Sequence, residues 1–397
     1  MRRIATALIA LACVVTPPRA NAQTSHAALG PVVQRLAAQY LANRAKPEHI
    51  SGISVSVSFP GDPQNLNAVA GRTSLGPDSA AVTPASLFDI GSITKSFTSA
   101  ALLQLEAEGK LSIDQTVGDW LPQYPAWRGV TIRRLLNMTS GILGYDNTVA
   151  MGASMAKYGN HRRFSDAVLV GYVDPTYPGA PAPTTGWNYS NTNYILAGMI
   201  VERVTGNTYA AEIARRFLGA KYGLESTYYS PNVYSQSILA QMTSGYFWNT
   251  DPGNEPLKPF LGVDVKAMDM SWAAAAGGIV SRPQDVTHWA RALYKGELLA
   301  AKQRAELETI VSDKTGKPLA ATSARNPTGF GLGVGQLTKP NLGTFWYYQG
   351  ETLGYRMVYF YSPKKDIAIA VGVNSQPPGA ANKIGDLLEQ LYRAVTK

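Results

Sequence analysis

The chain has 397 residues, 45% of them apolar and 16% charged, with a formal charge of +9 and a single cysteine. That length and balance fit a globular protein with a large core and exclude a low-complexity or disordered chain. The positive excess is diffuse, with no Lys/Arg run to suggest nucleic acid, and one cysteine excludes a disulfide framework.

The N-terminus reads as a secretory signal peptide over residues 1–22. Arg2 and Arg3 precede an apolar run from Ile4 to Val15, too short to span a bilayer, and Ala20-Asn21-Ala22 offers small residues for cleavage. An exported protein, periplasmic or secreted, is expected. Cys13 lies inside this segment, but Ala10-Leu11-Ala12 before it fits a lipoprotein site poorly, so simple cleavage is preferred. Cleavage removes three arginines and no acid, which lowers the formal charge from +9 to +6 and leaves a mature chain without cysteine.

Residues 31–44 carry Val32, Val33, Leu36, Ala37, Tyr40 and Leu41 at helical spacing. The stretch "ISVSVSF" then alternates Ile53, Val55, Val57 and Phe59 with serines, which predicts a half-buried strand, and residues 65–71 could pair with it. The middle of the chain mixes helices with Pro/Gly/Tyr-rich loops. Near the end, "GFGLGVGQ", "TFWYYQG", "YRMVYFYS" and "DIAIAVGVN" read as strands, and "NKIGDLLEQLYRAV" as a closing helix. The expected fold is therefore α+β: an antiparallel sheet built from residues 23–90 and 325–397, flanked by N- and C-terminal helices. Residues 91–324 would form a mostly helical insertion, with the active site at the junction.

The chemistry-bearing residues point to acyl transfer. There are only four histidines, no G-x-S-x-G and no H-E-x-x-H. A lysine base is the alternative: in Ser-x-x-Lys both side chains share one helix face, and desolvation lowers the amine's pKa toward neutrality. The pattern occurs three times, at Ser92/Lys95, Ser154/Lys157 and Ser362/Lys365. Ser154 is expected in a polar loop region and Ser362 at an exposed hairpin turn, whereas Ser92 follows "LFDIG" and opens an apolar helix. From that context alone, Lys95 is either a buried base or a lysine whose amine reaches back to solvent. Tyr-x-Asn, a second proton shuttle with an orienting amide, also occurs three times: Tyr145/Asn147, Tyr158/Asn160 and Tyr189/Asn191. Only the last enters a helix with an apolar face. The first two are better read as an asparagine turn or cap beside a packed tyrosine.

In order along the chain stand "SITK" (92–95), "NMTSGI" (137–142), "YSNTNY" (189–194), "AAGGIVS" (275–281), "GFGLGVG" (329–335) and "GETLGY" (350–355). Together they resemble the penicillin-recognising serine hydrolases: class C β-lactamases, D-alanyl-D-alanine carboxypeptidases, D-aminopeptidases and related esterases. The resemblance implies Ser92 as nucleophile, Lys95 as its base, Tyr189 as proton relay, and Asn191 orienting substrate and lysine. The oxyanion hole would come from the backbone N–H groups of Ser92 and Glu351. The family's Lys-Thr-Gly or His-x-Gly motif is replaced at the expected place by Tyr348-Gln349-Gly350. A literal Lys314-Thr315-Gly316 lies upstream in a polar loop, so Tyr348 is taken as the counterpart, and the cation that would grip a substrate carboxylate is missing there. Arg356, on the next strand, is a candidate to replace it.

The implied function is hydrolysis through an ester on Ser92, with a D-alanyl-D-alanine carboxypeptidase-like activity in front. An esterase or amidase and a class C-type β-lactamase follow, and a catalytically silent penicillin-binding sensor is the rival of another class. No cofactor or metal is expected. The partner is a small-molecule or peptide substrate, with no nucleic acid and no integral membrane span.

Overall fold

The computed structural model describes residues 26, 28–158, 161–176 and 184–397, and all of these side chains except that of residue 158. The predicted signal peptide and Asn160 lie outside the described residues.

The first helix, Gly30–Glu48, has Pro31 in its first turn, where the missing N–H costs nothing, and ends at His49 in a left-handed conformation. Chain reversal there feeds the strand Gly52–Ser58, which pairs antiparallel with Leu66–Gly71 so that Val55 faces Ala68. The remaining strands come from the C-terminal part. The nine-stranded sheet runs, from one edge to the other, 66–71, 52–58, 367–373, 356–362, 343–351, 335–339, 328–330, 310–311 and 318–319, with every neighbouring pair antiparallel. The stretch predicted as one strand, "GFGLGVGQ", is interrupted: Thr328–Phe330 and Gly335–Lys339 are separate strands, and Gly333 between them adopts a positive φ.

Both faces of the sheet's centre are covered. Ile53, Val55, Val57, Val358, Phe360, Ile369 and Val371 pack against the helices Gly30–Glu48 and Ile384–Val395. Met357, Tyr359, Tyr361, Ala368 and Ala370 point into the larger core on the other side. The helix Pro283–Tyr294 packs on this second face. Its cover explains why Gly52–Ser58 is buried along its whole length rather than half-buried as its alternation predicts. Ser54, Ser56 and Ser58 are small enough to lie beneath it, and Ser56 Oγ accepts from Asn65 Nδ2 at 2.8 Å.

The helix Thr94–Ala107 runs through the larger core with Thr94 to Leu103 all buried. A helix buried on every side is a central helix. Its polar side chains are satisfied inside: Thr98 Oγ1 donates to the Ala275 carbonyl at 2.7 Å, and Ser96 Oγ accepts from Trp289 Nε1 at 2.8 Å. Among the described residues no helix is long and apolar enough to cross a membrane.

Candidate active site

Ser92 lies in the 3-10 turn Gly91–Ile93, which leads directly into the central helix and places Lys95 one turn on. The lysine does not reach solvent: its side chain has 0% exposure. Lys95 Nζ donates to Ser92 Oγ at 2.9 Å and to the Ala276 carbonyl at 2.8 Å, and it stands 4.9 Å from the centre of the Tyr189 ring. Burial pushes its pKa down to about 7, and the Asp146 carboxylate pulls in the opposite direction.

Tyr189 precedes the helix Asn191–Thr205, capped at its far end by Gly206 with positive φ. Its segment is held by Asn188 N donating to the Met138 carbonyl at 2.9 Å, so the "NMTSGI" loop props it from below. Tyr189 Oη donates to Ser92 Oγ at 2.7 Å and lies 3.3 Å from Tyr348 Oη. Burial pushes the Tyr189 phenol well above the ordinary range, which keeps it protonated at neutral pH.

The strand Gly343–Glu351 closes the other side. A Cβ on Gly350 would fall 1.9 Å from the Ile90 carbonyl and 2.8 Å from Ser92 N; one on Gly91, with φ +49°, would fall 2.5 Å from Glu351 N. Two glycines thus let two backbones touch, which brings the Ser92 and Glu351 amides to one place. The Glu351 carboxylate is held by side-chain amides, accepting from Gln349, from Gln376 at 3.3 Å and from Asn382 at 3.2 Å.

Among the described residues Asn191 makes no hydrogen bond to Lys95. Its Nδ2 donates to Asp146 Oδ2 at 2.7 Å, and its buried Oδ1 has no partner among the described residues. The Ala276 carbonyl takes the place next to Lys95 that the resemblance implied for Asn191. Ala276 and Asp146 were both missed. Asp146 is the middle residue of the discounted Tyr145/Asn147 pair, and "AAGGIVS" was recognised without a role.

The rival motifs separate on geometry. Ser154 sits in the helix Val149–Tyr158 rather than a loop, accepts from Arg162 at 2.5 Å, and has an exposed Lys157. Ser362 shares a 3.0 Å hydrogen bond with Tyr392 Oη, and Lys365 is exposed. Tyr145 is fully buried and donates to the Trp272 carbonyl. Arg356 is also fully buried: Nη1 donates to Glu48 Oε2 at 2.8 Å and to Asn382 Oδ1 at 2.7 Å, and Nε to the Ser375 carbonyl at 2.8 Å. It is a structural ion pair, not a cation offered to a ligand.

Tyr189, which donates to Ser92, also lines a cavity of about 250 Å³ together with Trp187, Asp313, Phe330, Tyr348 and Gln349, among others. None of its described lining residues is Lys, Arg or His.

This arrangement is the β-lactamase/transpeptidase-like α+β fold, with a serine and a buried lysine where the sheet meets the helices. The chain belongs to the β-lactamase family, whose family model, "Beta-lactamase", matches residues 34–393. It is 30% identical to penicillin-binding protein 4* of Bacillus subtilis (strain 168) over 217 residues, 54% of this chain and 46% of that protein. With penicillin-binding protein 4 of Amycolatopsis lactamdurans it shares 32% over 219 residues, 54% of this chain and 53% of the relative. The chain spans about half the length of these curated relatives. Among solved structures, a D-amino acid amidase from Ochrobactrum anthropi SV3 superposes with a TM-score of 0.77 at 21% identity, covering 93% of this chain and 99% of that one. A D-stereospecific amidohydrolase from Streptomyces sp. gives 0.73 at 24%, covering 91% and 97%. At these identities the two structures support the fold.

Proposed function

We propose that the protein is a serine acyl hydrolase that forms an ester on Ser92, acting on amide or ester bonds whose leaving group carries no carboxylate. One observation carries this reading: a wholly buried amine 2.9 Å from Ser92 Oγ, with a neutral phenol 2.7 Å away on the same oxygen. With Lys95 neutral, its lone pair accepts the Ser92 proton as Oγ bonds to the substrate carbonyl carbon. The carbonyl oxygen takes the negative charge beside the Ser92 and Glu351 amides. Collapse breaks the bond to the leaving group, which takes a proton from Tyr189, and the Lys95 ammonium returns that proton to the phenolate. Acylation therefore ends with both groups neutral. Water then attacks the ester along the reverse path, frees the acid and restores Ser92.

The carboxypeptidase and β-lactamase branches need a grip on a substrate carboxylate. Tyr348 supplies a neutral hydroxyl, Arg356 is committed to Glu48, and the described cavity lining has no cation. That favours the amidase or esterase branch. Residues 1–22 support placing this activity outside the cytoplasm.

The test uses a panel of neutral p-nitrophenyl esters and amides, paired carboxylate analogues, a fluorescent penicillin and a fluorophosphonate label. Turnover of the neutral substrates and a label on the peptide containing Ser92 are expected, both lost in Ser92→Ala. A label on Ser154 or Ser362, or turnover surviving in Ser92→Ala, overturns the assignment. Strong preference for the carboxylate analogues returns the carboxypeptidase reading.

A further inference from the structure

Asp89 is the buried acid of "LFDIGS", and the acyl-transfer steps give it no part. The two-residue strand Phe88–Asp89 pairs antiparallel with Ile279–Ser281, Asp89 opposite Val280, and the chain then turns through Gly91 into Ser92. Asp89 is 5% exposed, and among the described residues no cation pairs with it. Its Oδ2 accepts from Thr352 Oγ1 at 3.3 Å, while its buried Oδ1 has no partner among the described residues. A carboxyl buried with half of its acceptors unused is destabilising, because one long bond from a neutral hydroxyl returns little of the desolvation cost. Stability alone does not account for this residue.

Its place in the fold does. Asp89 stands three residues before Ser92, and Thr352 directly follows Glu351, so their bond joins the two segments whose amides face the oxyanion. Where those segments touch, at Gly91 and Gly350, neither residue has a side chain to hold the contact. Glycines permit the close approach but fix nothing. Among the described residues Asp89–Thr352 is the one side-chain hydrogen bond between residues 88–93 and 349–355. Both ends are anchored. Asp89 is held by its strand pairing, and Thr352 N donates to the Tyr355 carbonyl at 3.1 Å, while Tyr355 Oη donates to the Thr243 carbonyl at 2.6 Å. A tether between two anchored ends sets the separation of the two amides, and oxyanion donors act only within a narrow range of distance.

We propose that Asp89 is a positioning residue of the oxyanion hole, acting through Thr352 to hold the Glu351 amide in register with the Ser92 amide. Neither side chain touches the substrate. The tether needs only an acceptor oxygen at 89 and a hydroxyl at 352, so it holds whether the carboxyl is ionised or not. This inference rests on the Ser92 reading and goes beyond it, since it assigns the hole a support that no reacting group supplies.

The test compares variants that break the bond with variants that keep it. Thr352→Val conserves shape and removes the donor, and Asp89→Ala/Thr352→Val removes both halves, so that neither is left unpaired. With a neutral p-nitrophenyl ester both should lose about ten- to a hundred-fold in kcat, the cost of a misplaced donor, with KM little changed because acylation and deacylation both pass through an oxyanion. The two losses should be equal, since the side chains act as one unit. Phenylboronic acid forms a tetrahedral anion on a serine oxygen, so its Ki should rise in step. Asp89→Asn and Thr352→Ser, which keep acceptor and hydroxyl, should stay close to the wild type, and thermal melts of the double variant should show no loss of stability. Wild-type kcat in the double variant, an unchanged boronic acid Ki, or an equal loss in Asp89→Asn and Thr352→Ser overturns the tether while leaving Ser92 as nucleophile. Turnover that survives in Ser92→Ala, run alongside, overturns the Ser92 reading and the tether with it.

Discussion

Lys95 Nζ meets Ser92 Oγ at 2.9 Å from a position with no solvent exposure, and the amine's pKa is pushed down to about 7 by that burial. The base is the neutral amine, so kcat/KM for a neutral ester should rise with pH and level off above an inflection near 7. The Asp146 carboxylate raises the lysine's pKa, so Asp146→Asn should move the inflection to lower pH, while its remaining amide oxygen can still accept from Asn191. A pH–rate profile measured with one neutral ester checks both statements. An inflection that stays put or moves up would remove Asp146 from the lysine's electrostatics.

The same burial has a stability signature. The folded-state pKa of Lys95 is depressed from 10.5 to about 7, so between these values the unfolded chain binds more protons and folding stability rises with pH. The slope from this one group is about 1.4 kcal/mol per pH unit, and the contribution is flat at its least favourable level below about pH 7. Lys95→Met lacks the titration. The stability of the wild type minus that of the variant, from urea unfolding at pH about 7, 8 and 9, should therefore increase with pH. A flat difference would mean that the lysine keeps its ordinary pKa.

Tyr189 and Tyr145 both belong to Tyr-x-Asn stretches, but their hydroxyls do different things. Tyr189→Phe removes the donor on Ser92 Oγ and should lower kcat/KM about 10²- to 10⁴-fold with little change in fold. Tyr145→Phe instead leaves the Trp272 carbonyl without its donor and should cost stability, about 1–3 kcal/mol, with a far smaller effect on rate. Steady-state kinetics beside thermal melts separates the two. A larger catalytic loss at Tyr145 would move the relay there.

Arg356→Ala removes the fully buried one of two cations on buried Glu48, which keeps its hydrogen bonds from Tyr40 at 2.8 Å and Arg44 at 2.7 Å. Breaking a buried pair so that one charge is wholly uncompensated costs about 3–5 kcal/mol, and the remaining Arg44 partner makes that the upper bound here. Denaturation should register that loss, while the ratio of kcat/KM for neutral and carboxylate-bearing esters stays as in the wild type. Loss of a carboxylate preference on this substitution would make Arg356 a substrate ligand. Tyr348→Lys, placed 3.3 Å from Tyr189 Oη at the cavity wall, is the change expected to shift the ratio toward carboxylates.

Local signals carried much of the architecture and the first guess at the site. The alternation in 53–59, the apolar strands of the C-terminal part and the closing helix are period-2 and period-3.6 patterns, written in neighbouring residues. Ser92 and Lys95 are one helical turn apart, so their proximity is also local. Tertiary packing decided everything that depends on what arrives from elsewhere in the chain. The 52–58 strand is buried on both faces because a helix 230 residues later lies on its serines. Lys95 is a buried amine because the Ala276 carbonyl and the Tyr189 and Tyr194 rings enclose it. Arg356, one strand from the site by sequence, belongs to Glu48 because successive strand residues face opposite sides of a sheet whose far side is closed by the first helix. Lys314-Thr315-Gly316 matched a motif in letters, but register and turn geometry placed the Tyr348 hydroxyl beside that of Tyr189 and Asp313 in the cavity lining. Spacing along a chain fixes which side chains share a face; it carries no information about which distant carbonyl, ring or carboxylate will stand opposite.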